Sequence, residues 1–306
     1  MYQYKNIMVA LDLSYMDEQV IKYTSFISNL IQPENIYFIN IQKDLEVPDE
    51  IKVEFENLGK PRDESVKRKM IESVKSNFDN HEGFKIDYKV AEGEEIHEML
   101  HWTKVKNIDL LVVGRKDVSN GSGHIAQVLT RKVMNSVLMV PEKLNTNLKE
   151  ILVPIDFSEY SDMAFDKAVE IARNQEGVKI YLLYIYHLPA GYYTTGKSEE
   201  EFSEIMKKNA MKQFSKYVAE KDVDDIVYEI TYQHDDSHHE HLLINKQAKK
   251  TTADLIIIGA KGRTPATSIF LGSIAEKLTK TESNVPLLIV KSKEKSFDIL
   301  ELIKSI

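Results

Sequence analysis

Gly259, Gly262 and Gly272, with Ser273 directly after, fall in the stretch GAKGRTPATSIFLGS at the spacing G-x2-G-x9-G-S. Residues of these types at this spacing suit the holding of a phosphate chain. Glycine admits backbone angles closed to other residues and lets amides approach an anion. A Gly-Ser pair opening a helix offers free N–H groups and the positive end of the helix dipole. Lys261 and Arg263 add positive charge. The loop is not a Walker A motif, because the G-x4-G-K-[ST] spacing is missing, and no dinucleotide fingerprint is present. Two plainer readings compete: the glycines as turn punctuation, and Ser273 with Glu276 as a capping box that serves only to start a helix.

Two further groups of residues carry chemistry. Asp156 closes the apolar run EILVPID, and a carboxylate at the carboxyl end of a central strand is placed to accept hydrogen bonds from a ribose. Ser158 is the better residue to cap the helix that follows. The second group is QHDDSHHEH, with His234, His238 and His241 as candidate zinc ligands among Asp235, Asp236 and Glu240. Imidazoles with carboxylates suit zinc, and His238 and His241 have the i, i+3 spacing of one helical face. Against a metal stands a second capping box, Ser237 with Glu240. His97 and His101, beside Trp102, read as surface residues.

The elements that must position these groups alternate strand and helix. Apolar runs at Ile151–Ile155, Val178–Tyr186, Ile226–Tyr232, Leu255–Ile258 and Leu287–Val290 read as parallel strands covered on both faces. Ala164, Phe165, Ala168, Val169 and Ala172 follow helical spacing, and Ser198 with Glu201 opens another helix. Such βαβα order calls for a doubly wound parallel sheet whose ligand site lies beyond the carboxyl ends of the strands, where the winding reverses. The glycine loop, between DLIII and the helical IAEKLTK, sits on that rim.

The chain repeats itself. NIMVALDLS at Asn6 returns 144 residues later as EILVPIDFS, and IDLLVVG returns 145 residues later as ADLIIIG. Near-constant offsets between distant landmarks mean a duplicated domain, with a polar linker, PEKLNTNLK, between the copies. The expected division is 1–144, 145–292 and a tail, 293–306, in which Phe297, Leu300, Ile303 and Ile306 form an apolar helical stripe. At 306 residues, 42% apolar and 29% charged, the chain suits two globular domains. A formal charge of −8 argues against nucleic acid as a partner. No cysteine is present, so disulfides and thiolate sites are excluded and a reducing, cytoplasmic setting is expected. Neither an export signal nor a membrane-spanning run is expected.

The G-x2-G-x9-G-S spacing, together with ILVPIDFSEYSDMAFDKAVEIA, LLYIYH, ADLIIIGAKGR and NVPLLIV, resembles the universal stress protein family. The resemblance runs through both halves and is strongest in the second. It implies an adenine nucleotide alpha hydrolase-like fold, two tandem α/β domains each with a five-stranded parallel sheet and helices on both faces. It also implies ATP binding, with Mg²⁺ on the nucleotide. Asp156 would contact the adenosine, backbone at Pro154, Ile155 and Ile185 would frame the base, and Gly259, Lys261, Gly262, Arg263, Gly272, Ser273 and Ile274 would take the phosphates. The family pairs copies through the fifth strand, which implies an intramolecular pseudo-dimer, with a homodimer as a further option.

The first half keeps Asp12 and Gly114 but has Asp117 in place of the second glycine and a shorter loop ending at Gly123 and His124, so it is expected to have lost the nucleotide. SNGSGH could hold a smaller anion. The expected function is a nucleotide-responsive stress regulator or slow ATP hydrolase, the alternative being a scaffold of the same fold that binds no nucleotide. No nucleophile and base at readable spacing point to an enzyme of another kind, and the S-G-G-x-D-S loop of ATP pyrophosphatases is absent.

Overall fold

Asp109 and Asp254 each stand one residue before a wholly apolar run, and each ties that run to the start of its copy. In the computed structural model, Asp109 Oδ2 accepts the amides of Lys5 (2.9 Å) and Asn6 (2.8 Å). Asp254 Oδ2 accepts those of Lys149 (2.8 Å) and Glu150 (3.0 Å). A carboxylate taking two backbone donors pairs groups that would otherwise be orphaned at a sheet end. The structure describes residues 3–43, 62–79, 83–116, 123–262 and 271–293.

The chain divides into two compact units, Met1–Thr146 with the segment from Lys291 onward, and Asn147–Val290. The first unit runs β1 (Asn6–Ala10), α1 (Met16–Ile31), β2 (Asn35–Gln42), α2 (Arg62–Asn77), β3 (Lys85–Glu92), α3 (Glu95–Val105), β4 (Leu110–Arg115), α4 (Gly123–Lys132) and β5 (Ser136–Pro141). Its strands lie in the order β3-β2-β1-β4-β5, all parallel.

The second unit runs β6 (Glu150–Ile155), α5 (Glu159–Arg173), β7 (Lys179–Tyr186), a 3-10 turn (Tyr192–Thr195), α6 (Glu199–Ala219), β8 (Val227–His234), α7 (Glu240–Lys250), β9 (Leu255–Gly259), α8 (Ser273–Lys280) and β10 (Leu287–Val290). Its order is β10-β9-β6-β7-β8, again parallel. In each unit the winding reverses beside the first strand, so helices cover both faces and a crevice opens at the carboxyl ends there.

Burial explains the strand sequences. β4 and β9 are almost wholly buried and read LLVVGR and LIIIG. β3 and β8, outermost in the order of their units, mix charge into KIDYKVAE and VYEITYQH and are far more open, as outer strands guarded by charge should be. Helix α5 turns Ala164, Phe165, Ala168 and Val169 inward, each 3% exposed or less. Truncating Phe165 there costs about 3–5 kcal/mol. The Ser198–Glu201 capping box forms as the sequence spells it, with the Ser198 amide donating to Glu201 Oε2 (2.9 Å) and the Glu201 amide to Ser198 Oγ (3.2 Å).

Candidate functional site

The crevice of the second unit opens between β6 and β9. Pairing of β6 with β7 runs to Ile155, whereas pairing with β9 covers Ile151 and Leu152. Pro154 carries no N–H to extend a ladder. Just past the strand, Asp156 Oδ1 accepts the Ser158 amide (2.9 Å), and the turn between them puts Phe157 in the left-handed region at φ 61°. Ser158 caps α5, its hydroxyl accepting the Ser161 amide (3.3 Å), as expected. Ser161 Oγ in turn accepts the Asp156 amide (3.3 Å). The half-buried carboxylate of Asp156 is thus fixed at the mouth of the crevice, beside buried Ile155 and half-buried Pro154 and Ile185.

The three glycines are needed for close approach. A Cβ on Gly259 would lie 2.5 Å from the carbonyl of Tyr160, against the first turn of α5. A Cβ on Gly262 would lie 2.7 Å from Asp156 Oδ2, and one on Gly272 would lie 3.2 Å from the Ala260 carbonyl oxygen. The expectation that they supply unusual backbone angles is corrected, since none of the three has positive φ. What they remove is bulk, so that the loop's backbone lies against Asp156 and its two ends lie against each other. The Gly272 amide donates to the Ala260 carbonyl (2.7 Å), which closes the loop.

Helix α8 begins at Ser273, with Gly272 as its cap and no side-chain cap bond. The proposed Ser273–Glu276 capping box is therefore not formed; Ser273 is exposed and inside the helix. Gly272 has no side chain, so among the described residues the first amides of α8, including those of Ser273 and Ile274, have no side-chain cap. Lys261 is half-buried, its ammonium 6.0 Å from the centre of the Tyr160 ring, in no ion pair among the described residues. Burial pushes its pKa below the ordinary lysine range. Arg263 lies outside the described residues.

The first unit fills the same place differently. A cavity of about 70 Å³ is lined by Asp12, Asp17, Glu95, Gly114 and Lys116 among others. Lys116, the counterpart of Lys261, donates to Asp12 Oδ2 at 2.6 Å. Burial opposes the charge on Asp12, but hydrogen bonds from Lys116 and Ser14 hold its carboxyl below the usual range. Asp17 stands where the second unit has Ser161 and accepts the amides of Asp12 (3.1 Å) and Leu13 (2.9 Å). Burial, with the Asp12 charge adding, pushes its carboxyl up to about 7. Burial raises Glu95 as well. Asp117 and 119–122 lie outside the described residues.

The structure does not bring His234, His238 and His241 together. His234 stacks on Tyr186, and His241 lies in α7 with Nδ1 buried and unpaired and its pKa lowered by burial. His238 precedes the helix, so the shared helical face is lost, and it meets His187 and Glu240 instead. The Ser237–Glu240 capping box is absent too. α7 starts at Glu240 behind His239, and Ser237 is held by the buried Asp235, which accepts its amide (3.0 Å) and hydroxyl (2.9 Å). His187 was not legible in the sequence as part of this group. Its signal is the sheet register, which pairs Tyr186 with His234 and so sets the residues after each strand side by side. His97 and His101 are exposed, as expected.

The parallel strand order, winding outward from the first strand of each unit with helices on both faces, is the adenine nucleotide alpha hydrolase-like fold. Within that class the chain belongs to the universal stress protein family. The family model matches residues 147–291. The universal stress protein MJ0577 of Methanocaldococcus jannaschii is 32% identical over 165 residues, which span 47% of this chain and 96% of that protein. A second protein of the same organism, universal stress protein MJ0531, is 30% identical over 175 residues, 53% of this chain and 92% of that one. A universal stress protein structure from Archaeoglobus fulgidus has the same fold at a TM-score of 0.62 and 16% identity, covering 94% of this chain and 97% of its own. No helix among the described residues is long and apolar enough to cross a membrane.

Proposed function

We propose that the second unit binds ATP at the β6–β9 crevice and that the protein is a cytoplasmic, nucleotide-responsive stress regulator with at most slow ATP hydrolysis. The observation that carries this reading is the contact between Gly262 and Asp156, where a Cβ would come within 2.7 Å of the carboxylate. A bare backbone pressed against a strand-end carboxylate suits a ligand that is polyhydroxylated at one end and anionic at the other. Asp156 would accept from the ribose, Pro154, Ile155 and Ile185 would flank the base, and Lys261 with the uncapped start of α8 would face the phosphates. Mg²⁺ would enter on the phosphate oxygens. A half-buried lysine with no carboxylate partner among the described residues is stabilised by an incoming anion.

In the first unit Lys116 already neutralises Asp12, which supports reading that unit as a partner without nucleotide. The proposal includes the intramolecular pseudo-dimer, and solution scattering that showed two freely moving units would count against it. The central claim is tested by mass spectrometry of small molecules released on denaturation, followed by calorimetric titration of the emptied protein with ATP. Adenine nucleotide in the first and a saturable heat in the second are expected. A protein that releases no nucleotide and gives no heat is a scaffold of the same fold.

A further inference from the structure

We propose that His187, His238 and Glu240 form a binding site for a divalent transition-metal ion of the zinc type, independent of the nucleotide reading. The three residues come from three places: His187 follows β7, His238 lies in the loop after β8, and Glu240 opens α7. One ligand atom from each lies within 4.8 Å of the other two.

The hydrogen bonds fix the chemistry of His187. Its Nδ1 is 2.8 Å from the Asp235 carbonyl oxygen. A carbonyl only accepts, so Nδ1 carries a hydrogen. This is the outer-shell bond that orients a metal-ligating imidazole and leaves the other nitrogen free. That nitrogen, Nε2, faces Glu240 Oε1 at 3.1 Å. An imidazole lone pair and a carboxylate oxygen at that distance repel unless a proton on Nε2 or a metal ion lies between them. In a tetrahedral zinc site with bonds of about 2.0 Å, ligand atoms stand about 3.3 Å apart, close to the observed separation.

The third ligand is close by and reaches the ion by turning its ring about the side-chain bonds. The His238 ring stacks on His187 with centroids 4.5 Å apart, and its backbone is left-handed at φ 55°. Such a backbone is strained for a residue with a side chain. The loop is kept in it by Asp235, which accepts the amides of Ser237 (3.0 Å) and His239 (2.9 Å). Two imidazoles and a carboxylate leave one position open, as in three-ligand zinc sites. Imidazole donors also suit nickel and copper.

The test uses the full chain, stripped of nucleotide and treated with chelator, titrated with zinc against a chromophoric competitor and with cobalt(II) by visible absorption. One zinc per chain and a four-coordinate cobalt spectrum are expected. Glu240→Gln and His187→Ala should weaken zinc by more than the roughly 10–100-fold that loss of an outer-shell partner costs. His238→Ala, at an exposed loop position, should do the same with circular dichroism unchanged, while His234→Ala and His241→Ala should bind as the parent does. No saturable zinc binding would overturn the proposal and make the His187–Glu240 contact an imidazolium–carboxylate pair. Parent-like affinity in both Glu240→Gln and His238→Ala would overturn it too, by placing the metal elsewhere.

Discussion

Lys116 donates to Asp12 across 2.6 Å, whereas among the described residues Lys261, its counterpart, has the Tyr160 ring beside its ammonium and no carboxylate. The same two residue types, a strand-end aspartate and a lysine two residues past a glycine, satisfy each other in one unit and not in the other. Titration of emptied protein with ATP should therefore saturate near one equivalent per chain. Asp12→Ala should leave that binding almost unchanged, and Asp156→Ala should weaken it by about 10–100-fold, the worth of a hydrogen bond to a charged group. Two equivalents of similar affinity would show that the first unit also holds nucleotide.

The raised carboxyl of Asp17 makes the first unit sensitive to pH. Between the ordinary 3.8 and about 7, the folded chain keeps a proton that the unfolded chain has released. Stability from this group is complete below 3.8, falls as pH rises through that window and levels off above it, with a slope of at most about 1.4 kcal/mol per pH unit. Glu95, raised in the same cavity, acts with the same sign. The single tryptophan, Trp102, belongs to α3 of this unit. Denaturation followed by its fluorescence at pH 5 and pH 8 should show the loss, and Asp17→Ser, which copies Ser161, should flatten it. An unchanged slope in that variant would assign the pH dependence to other groups.

The glycines separate structure from binding. Gly259→Ala forces a Cβ against the backbone of Tyr160 at 2.5 Å and should destabilise the second unit by about 1–3 kcal/mol. Among the described residues Gly262→Ala meets the tip of the Asp156 side chain alone, so it should melt near the parent temperature and bind ATP more weakly. Thermal melts and calorimetry on the pair decide this, and parent-like stability in Gly259→Ala would sink it.

Two serines that both precede a glutamate by three residues should behave differently. Ser198→Ala loses a formed capping box and should cost about 1 kcal/mol. Ser273→Ala removes a hydroxyl that caps nothing and should change stability by less than about 0.5 kcal/mol. Equal losses in chemical denaturation would mean that Ser273 does cap α8.

The strands of the second unit were legible to within two residues because buried parallel strands are unbroken apolar runs, and Ala164, Phe165, Ala168 and Val169 announced their helix by spacing alone. Capping signals misled where tertiary bonds intervened. At Gly272 the bond to Ala260 closes the loop and makes the glycine, not Ser273, the cap. At Ser237 the carboxylate of Asp235 holds both amide and hydroxyl. The histidines were misgrouped because sequence distance hid a contact that depends on β7 and β8 lying side by side, which brings His187 to His238.

The turn after the first strand of each unit holds Leu13 at φ 60° and Phe157 at φ 61°. Leu13 is 39% exposed, while Phe157 stacks on Tyr184 at 5.0 Å. The two side chains share neither shape nor surroundings, so neither can be the cause of the bend. What is alike is the frame: an aspartate before the bent residue and a serine after it, whose amide the aspartate accepts at 3.1 Å in one unit and 2.9 Å in the other. Duplication has copied a posture of the main chain through its two neighbours, and the residue that bears the posture has been free to change.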